Sequence, residues 1–281
     1  MSSSRVRPEH AGPPEFFYND TEARNSHIIA VQSELSERAL ELLALPEDQD
    51  CLILDIGCGS GLSGEVLTEA GHQWFGVDIS EAMLDVAVDR EVEGDVLRQD
   101  MGLGLPFRPG SFDGAISISA IQWLCNADTK EQNPRRRLFR FFSSLYAALG
   151  RGSRAVLQFY PESPDQADLI SQQAQKAGFT GGLVVDFPNS SKAKKVYLVL
   201  FTGGQQRLPA ALGVGEGAGR TTFSSARNTS RFARQGKQSA TGGRPSRKTR
   251  EWIEHKRQKA IDRGEDVKRS SKYTGRKRRR W

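Results

Sequence analysis

Residues 51–61, Cys51-Leu52-Ile53-Leu54-Asp55-Ile56-Gly57-Cys58-Gly59-Ser60-Gly61, constrain the fold of this chain more than any other stretch. An apolar run meets an acidic residue, three glycines follow at alternate positions, and an amphipathic segment begins at once. That order reads as strand, tight glycine turn and helix, the opening unit of a parallel α/β sheet. Glycines at such a junction let backbone N–H groups approach a ligand above a helix N-terminus, as nucleotide-type cofactors require. Asp55, shortly before Gly57, narrows the choice of ligand. A dinucleotide lays a pyrophosphate here, which a carboxylate repels. A ligand with cationic groups and no phosphate suits Asp55 better. S-adenosylmethionine (SAM), with its sulfonium and free amino group, is such a ligand.

Strand and helix patterns alternate on either side of this turn. Ile28, Val31, Leu35, Leu42 and Leu43 recur at helical spacing, and Pro46 closes that helix. Strand one spans 51–55, and the helix after the turn runs over about 61–71. Trp74–Ile79 reads as strand two, with Ser80 as the N-cap of a helix over Glu81–Val88. Short strand three lies near Asp95–Gln99, and strand four is Phe112–Ser119. Arg135–Leu149 is helical, with Leu138, Phe141, Phe142 and Leu145 on one face, and Gly150-Arg151-Gly152 stops it. Strand five is Ser153–Tyr160, a helix covers about 165–177, and Leu183–Phe187 and Val196–Thr202 end the pattern as a hairpin. The sum is an α/β, Rossmann-like fold with a seven-stranded, mostly parallel sheet, whose ligands bind beyond the carboxyl ends of the strands.

Charge divides the chain in two. The net charge of +6 combines +16 over residues 203–281 with −10 over residues 1–202. The Gly-, Ser-, Thr- and Arg-rich stretch 203–249 has too few aliphatic residues to offset ordering entropy, so it reads as disordered on its own. A short basic helix at 249–264, anchored by Trp252 and Ile253, and the run Arg276–Arg280 complete a basic extension over 203–281. Such an extension points to a polyanion, most often nucleic acid, and to nuclear targeting. Residues 1–18 read as a flexible arm and 19–202 as the globular domain. Cys51, Cys58 and Cys125 have no metal-ligand spacing and suggest no disulfide framework. No apolar run approaches the ~20 residues of a membrane span. The polar start, Met1–Pro14, resembles neither a signal nor a transit peptide.

Other positions fill out a cofactor site. Asp78 and Ile79 end strand two, where an acid takes ribose hydroxyls; dehydrogenases place an acid similarly, so Asp78 alone leaves the cofactor open. Asp100 and Met101 end strand three, where a carboxylate accepts an adenine amino group and an apolar neighbour packs on the ring. Leu105-Pro106-Phe107 followed by Ser111-Phe112-Asp113 is a pattern that class I SAM methyltransferases share, and with Asp55 it favours SAM over a dinucleotide. Strand four runs through Ser117 into Ile118–Asn126, where a methyl acceptor lies opposite the sulfonium. Gln122 there suits a base edge and Trp123 suits base stacking; a lid or core role is the plain alternative for Trp123. No general base stands nearby, and His10, His27, His72 and His255 are scattered. An acceptor with its own lone pair, such as guanine N7, needs none; positioning is enough.

These residues resemble a eukaryotic family, the guanine-N7 methyltransferases of small-subunit (18S) ribosomal RNA. The resemblance runs along nearly the whole chain. It rests on Arg7-Pro8-Glu9-His10, Gly12-Pro13-Pro14-Glu15, the glycine loop, Ser117–Ala127, Pro188-Asn189-Ser190, Lys192-Ala193-Lys194-Lys195 and Tyr273-Thr274-Gly275-Arg276-Lys277-Arg278. Ile118–Asn126 and the Tyr-Thr-Gly-Arg-Lys ending are specific, whereas the glycine loop is common to SAM methyltransferases. The resemblance implies N7-methylguanosine formation in pre-40S particles, and a small zinc-binding activator subunit paired to the edge strand near Gly94–Gln99. One departure stands out. The family reads Thr-Glu-Ala-Arg-Lys-Tyr-x-x-Asn-Ser, whereas Thr21-Glu22-Ala23-Arg24 here passes straight to Asn25-Ser26. The absent tyrosine belongs to a segment that covers SAM, which implies weakened SAM affinity. Two other readings stay open at this level: a small-molecule SAM methyltransferase, disfavoured by the basic extension, and a non-catalytic assembly factor.

Overall fold

The computed structural model describes residues 26–46, 48–126, 133–190, 193–204, 206–213 and 220–223. These belong to the first of two compact units, Met1–Arg227. The N-terminal arm, the Arg24–Asn25 junction, the 249–264 helix and Arg276–Arg280 lie outside the described residues.

Helix α1 (Ser26–Leu43) leads into β1 (Leu52–Ile56), α2 (Leu62–Glu69), β2 (Gln73–Asp78), α3 (Glu81–Asp89) and β3 (Asp95–Arg98). After a one-turn 3-10 helix (Met101–Leu103) come β4 (Phe112–Ile118) and a second 3-10 helix (Ile121–Cys125). Then follow α4 (Pro134–Ala148), β5 (Leu149–Phe159), α5 (Pro164–Ala177), β6 (Thr180–Asp186), β7 (Lys195–Phe201) and β8 (Arg220–Phe223). The eight strands make one sheet of order β3-β2-β1-β4-β5-β7-β6-β8. The pairings β1–β2, β2–β3, β1–β4 and β4–β5 are parallel; β5–β7, β6–β7 and β6–β8 are antiparallel.

The order reverses between β1 and β4, the switch point at which ligands bind in such sheets. Strands β1 and β4 are buried at nearly every position because helices cover both faces. On one face α4 and α5 bury Leu138, Phe141, Phe142, Leu145 and Ile170 against Leu54, Leu157 and Leu198. On the other, α1 and α2 bury Leu35, Leu42, Leu43 and Leu67 against Ile53, Ile116 and Val156. Trp74 lies in a slot where a Cβ on Gly64 or Gly94 would fall 2.1 or 2.2 Å from its ring, and its Nε1–H donates to Thr68 Oγ1 at 3.0 Å. The connection from β3 to β4 has a single 3-10 turn in place of a full helix. Phe107 fills that space, edge-on to Phe75 and Phe112 with centroids 5.2 and 4.9 Å away.

The seven expected strands are present, with two corrections. Gly150-Arg151-Gly152 does not separate α4 from the next strand. β5 begins at Leu149 and carries the Gly-Arg-Gly as an irregularity, its register against β4 shifting between Phe112 and Gly114. Structure also continues past Gly203. Leu208 and Ala211 are buried, and β8 adds an eighth strand to β6. The reason lies in the body. Arg38, on α1, pairs with buried Asp186 at 2.9 Å and donates to Ala210 O at 2.8 Å. Asp186 also accepts from Leu212 N–H at 2.8 Å. Burial and these partners fix a segment whose own composition promises no structure.

Candidate active site at the carboxyl edge of the sheet

The loop leaving β1 has three left-handed glycines, with φ of +76 at Gly57, +53 at Gly59 and +82 at Gly61. Gly57 is doubly constrained, because a Cβ there would lie 2.4 Å from the Cβ of Ala120. The loop after β1 therefore touches the loop after β4. Gly57 and Cys58 N–H groups donate to Val77 O at 2.7 and 3.2 Å, which pins the turn to β2. Asp78 completes the grip, accepting from Gly59 N–H at 2.9 Å and Ser80 N–H at 2.8 Å. Desolvation pushes the Asp78 carboxyl upward, opposed by these bonds. Ser80 caps α3 as expected.

Asp55 is fully buried at the end of β1. Its Oδ2 accepts from Ser63 Oγ at 2.5 Å and its Oδ1 has no partner. Burial, helped by the nearby Asp78 charge and opposed by the Ser63 bond, raises its carboxyl to about 7. Asp100 caps the first 3-10 helix through Gly102 N–H at 2.8 Å, and Arg137 from α4 donates to both its oxygens at 3.0 and 3.2 Å. Ile79 and Met101 are half-buried beside these carboxylates.

At the end of β4 the chain turns through Ser119, a non-glycine residue with φ +56. Ser119 is held by Gln158 at the end of β5: its N–H and Oγ donate to Gln158 Oε1 at 3.1 and 2.8 Å. Gln122 donates from Nε2 to Ser119 O at 2.8 Å. Gln122 and Trp123 are both inside the second 3-10 helix, 5% and 7% exposed. Ser117 is buried within β4. The fold thus gathers Asp55, Gly57, Gly59, Gly61, Asp78, Ile79, Asp100, Met101 and Ser117 at or beside the ends of four neighbouring strands, with Gln122 and Trp123 just beyond β4.

Ser63, Arg137, Ser119 and Gln158 escaped the sequence reading. Ser63 stands eight residues after Asp55, in the first turn of α2 facing back on β1, so the strand-turn-helix pattern held a usable signal. Arg137 and Gln158 meet their partners across 37 and 39 residues and gave none. Burial raises all three thiols, Cys125 to about 12, which leaves no thiolate nucleophile.

Six buried side-chain polar atoms among the described residues lack a partner, and four belong here: Asp55 Oδ1, Ser117 Oγ, Gln122 Oε1 and Gln158 Nε2. Each such atom costs on the order of 1–3 kcal/mol. Their concentration at one edge marks a place built for a polar ligand. A carboxylate at the glycine loop, a second at the end of β2 and a third at the end of β3 fit the cationic, ribose and adenine parts of SAM.

Fold and site define the class: a class I SAM-dependent methyltransferase. Residues 53–136 match the family described as methyltransferase domain, and residues 200–280 match that described as methyltransferase involved in Williams-Beuren syndrome. The chain is 55% identical over 285 residues to the 18S rRNA (guanine-N(7))-methyltransferase of Mus musculus, covering 99% of each. It is 50% identical over 279 residues to the 18S rRNA (guanine(1575)-N(7))-methyltransferase of Saccharomyces cerevisiae, covering 97% of this chain and 98% of that one. Among solved structures, magnesium protoporphyrin IX methyltransferase from Synechocystis with bound SAM shares the fold, with a TM-score of 0.50 at 17% identity over 72% of this chain and all of that one. The chain belongs to the family of 18S rRNA (guanine-N(7))-methyltransferases.

Proposed function

We propose that this protein methylates N7 of a guanine in 18S rRNA within pre-40S particles and acts in small-subunit biogenesis. The observation that carries the reading is the gathering of unpartnered buried polar atoms, Asp55 Oδ1 at the glycine loop with Ser117 Oγ, Gln122 Oε1 and Gln158 Nε2 at the ends of β4 and β5, at one edge of the sheet. The reading is supported by the identity to relatives with this activity, sustained over nearly the whole chain.

SAM supplies an electrophilic methyl group on its sulfonium. The chain's residues orient the two reactants. Asp55 faces the cationic end, Asp78 the ribose hydroxyls, and Asp100 with Met101 the adenine. The contact between Gly57 and Ala120 sets the distance between the loop that holds the donor and the loop that holds the acceptor. Gln122 and Trp123 form the wall that positions the base. Guanine N7 attacks with its own lone pair, so no proton has to leave and the step needs no general base. Gln158 holds Ser119, and through it the acceptor loop.

The edge strand β3 leaves one side unpaired among the described residues, and Gly94–Gln99 is where a small zinc-binding activator subunit adds a strand. The basic extension, residues 203–281, grips rRNA and carries nuclear targeting, so the protein works in the nucleus and also in the cytoplasm. No helix among the described residues is long and apolar enough to cross a membrane.

The test is single-turnover methylation of small-subunit particles from cells lacking the protein, with labelled SAM and mapping of the labelled base. Label at one guanine N7, abolished by Asp55→Asn, is expected. Label on small molecules or protein alone would overturn the reading.

A further inference from the structure

We infer that the outward face of α4 is a second RNA-binding surface, on the folded domain itself and beside the cofactor site. The inference rests on the rRNA-substrate reading above and extends it to residues with no part in that argument.

Residues 134–140 read Pro-Arg-Arg-Arg-Leu-Phe-Arg. They stand in the part of the chain whose net charge is −10, yet they include four arginines and no acid. Arg137 turns inward to Asp100. Arg135, Arg136 and Arg140 are exposed, and none has an acidic partner among the described residues. On the helix, Arg135, Phe139, Arg136 and Arg140 fall within one arc of about 140°. The opposite arc holds buried Leu138, Phe141, Phe142 and Leu145. Phe139 stays 44% exposed between the arginines although its neighbours Leu138 and Phe141 are fully buried.

Two features weigh against a merely solvated helix face. Arg135 and Arg136 lie in the first turn, where the helix dipole disfavours cations, and no described acid offsets them. An exposed phenyl ring among unpaired guanidinium groups is the composition of a surface for single-stranded RNA, where arginines meet phosphates and an aromatic face takes a base. Position agrees. Through Arg137 the face is tied to Asp100, and Gly104, just past the first 3-10 helix, packs against Arg140. RNA whose guanine enters beyond β4 passes close to this face.

The test uses the full-length chain and a fluorescein-labelled single-stranded RNA, followed by anisotropy between about 50 and 200 mM KCl. The triple variant R135Q/R136Q/R140Q is expected to lower the slope of log affinity against log salt by about 2, the value for three phosphate contacts on a single strand. F139A should weaken binding about tenfold and leave the slope unchanged. SAM affinity and melting temperature should stay at parental values in both variants. An unchanged slope in the triple variant, with parental methylation of the small-subunit particle, overturns this inference alone. Loss of a co-purifying protein subunit with RNA binding intact overturns it too, and assigns the face to a protein contact. A lowered slope in a chain that methylates no rRNA would leave the face standing and refute the substrate reading.

Discussion

Asp55 shows how one residue sets both a cost and a function. Its carboxyl is raised from 3.8 to about 7, mainly by burial. Between those values the folded protein holds a proton that the unfolded chain has lost, so stability falls as pH rises from about 4 to 7. The ionised form attracts the cationic cofactor, so SAM affinity should climb as pH rises through about 7 and then level off. Calorimetric titration across that range checks this. Asp55→Asn should weaken SAM at least tenfold, flatten its pH dependence and remove the stability slope. A parental pH profile in the variant would exclude Asp55 from cofactor contact. Gly57 makes the steric counterpart. Gly57→Ala combines a left-handed φ with a 2.4 Å approach to Ala120, and should cost about 2 kcal/mol or more in urea unfolding. An unchanged midpoint would show that the two loops separate freely. Asp55 and the glycines were legible in the sequence because they sit within seven residues on a strand-turn-helix. Ser119 and Gln158 were not, since an unpaired amide means nothing until β4 and β5 lie side by side.

At the scale of elements, β1 through β7 were readable because each carries its own apolar run, and β8 was not because it carries none. Arg220–Phe223 gains its place from the exposed edge of β6, and residues 206–213 gain theirs from Arg38 and Asp186. The Arg38–Asp186 pair is the sharper test, for it ties α1, β6 and this segment together. Desolvation lowers the Arg38 guanidinium, yet its bonds to Asp186 and Glu41 outweigh that and leave it raised. Removing Asp186 leaves half-buried Arg38 with Glu41 and Ala210 O but without its buried partner, and takes the acceptor from Leu212 N–H. Asp186→Ala should destabilise the fold by about 3 kcal/mol and raise amide exchange at Leu212, which loses its acceptor. Protection at Leu212 equal to the parent would mean that Leu208 and Ala211 hold the segment by apolar burial alone. The arginines of α4 show the opposite case: the 3.6-residue period of Leu138, Phe141, Phe142 and Leu145 marks the helix and its core face, whereas the lack of described acids beside the other face emerges only in the packed helix.

For the whole molecule, an acidic catalytic body and a basic extension make a division of labour. We propose that the extension brings a polyanion to a domain whose own charge repels it, with the α4 face as a local exception beside the site. Truncation after residue 227 should reduce RNA affinity and its salt slope while SAM binding persists, as parallel anisotropy and calorimetry would show. The junction of Arg24 and Asn25 lies outside the described residues and bears on the same balance. Inserting Lys-Tyr-x-x after Arg24 should tighten SAM, and an unchanged dissociation constant would remove that segment from the cofactor site. The central claim is tested most directly by mapping N7-methylguanosine in small-subunit rRNA, through borohydride reduction and aniline cleavage, in cells lacking the protein and rescued by this sequence with its activator. Cleavage at a single guanine, restored by the parent chain and not by Asp55→Asn, is the predicted result. Full restoration by Asp55→Asn, or no restoration by a soluble, partner-bound parent, would contradict the account.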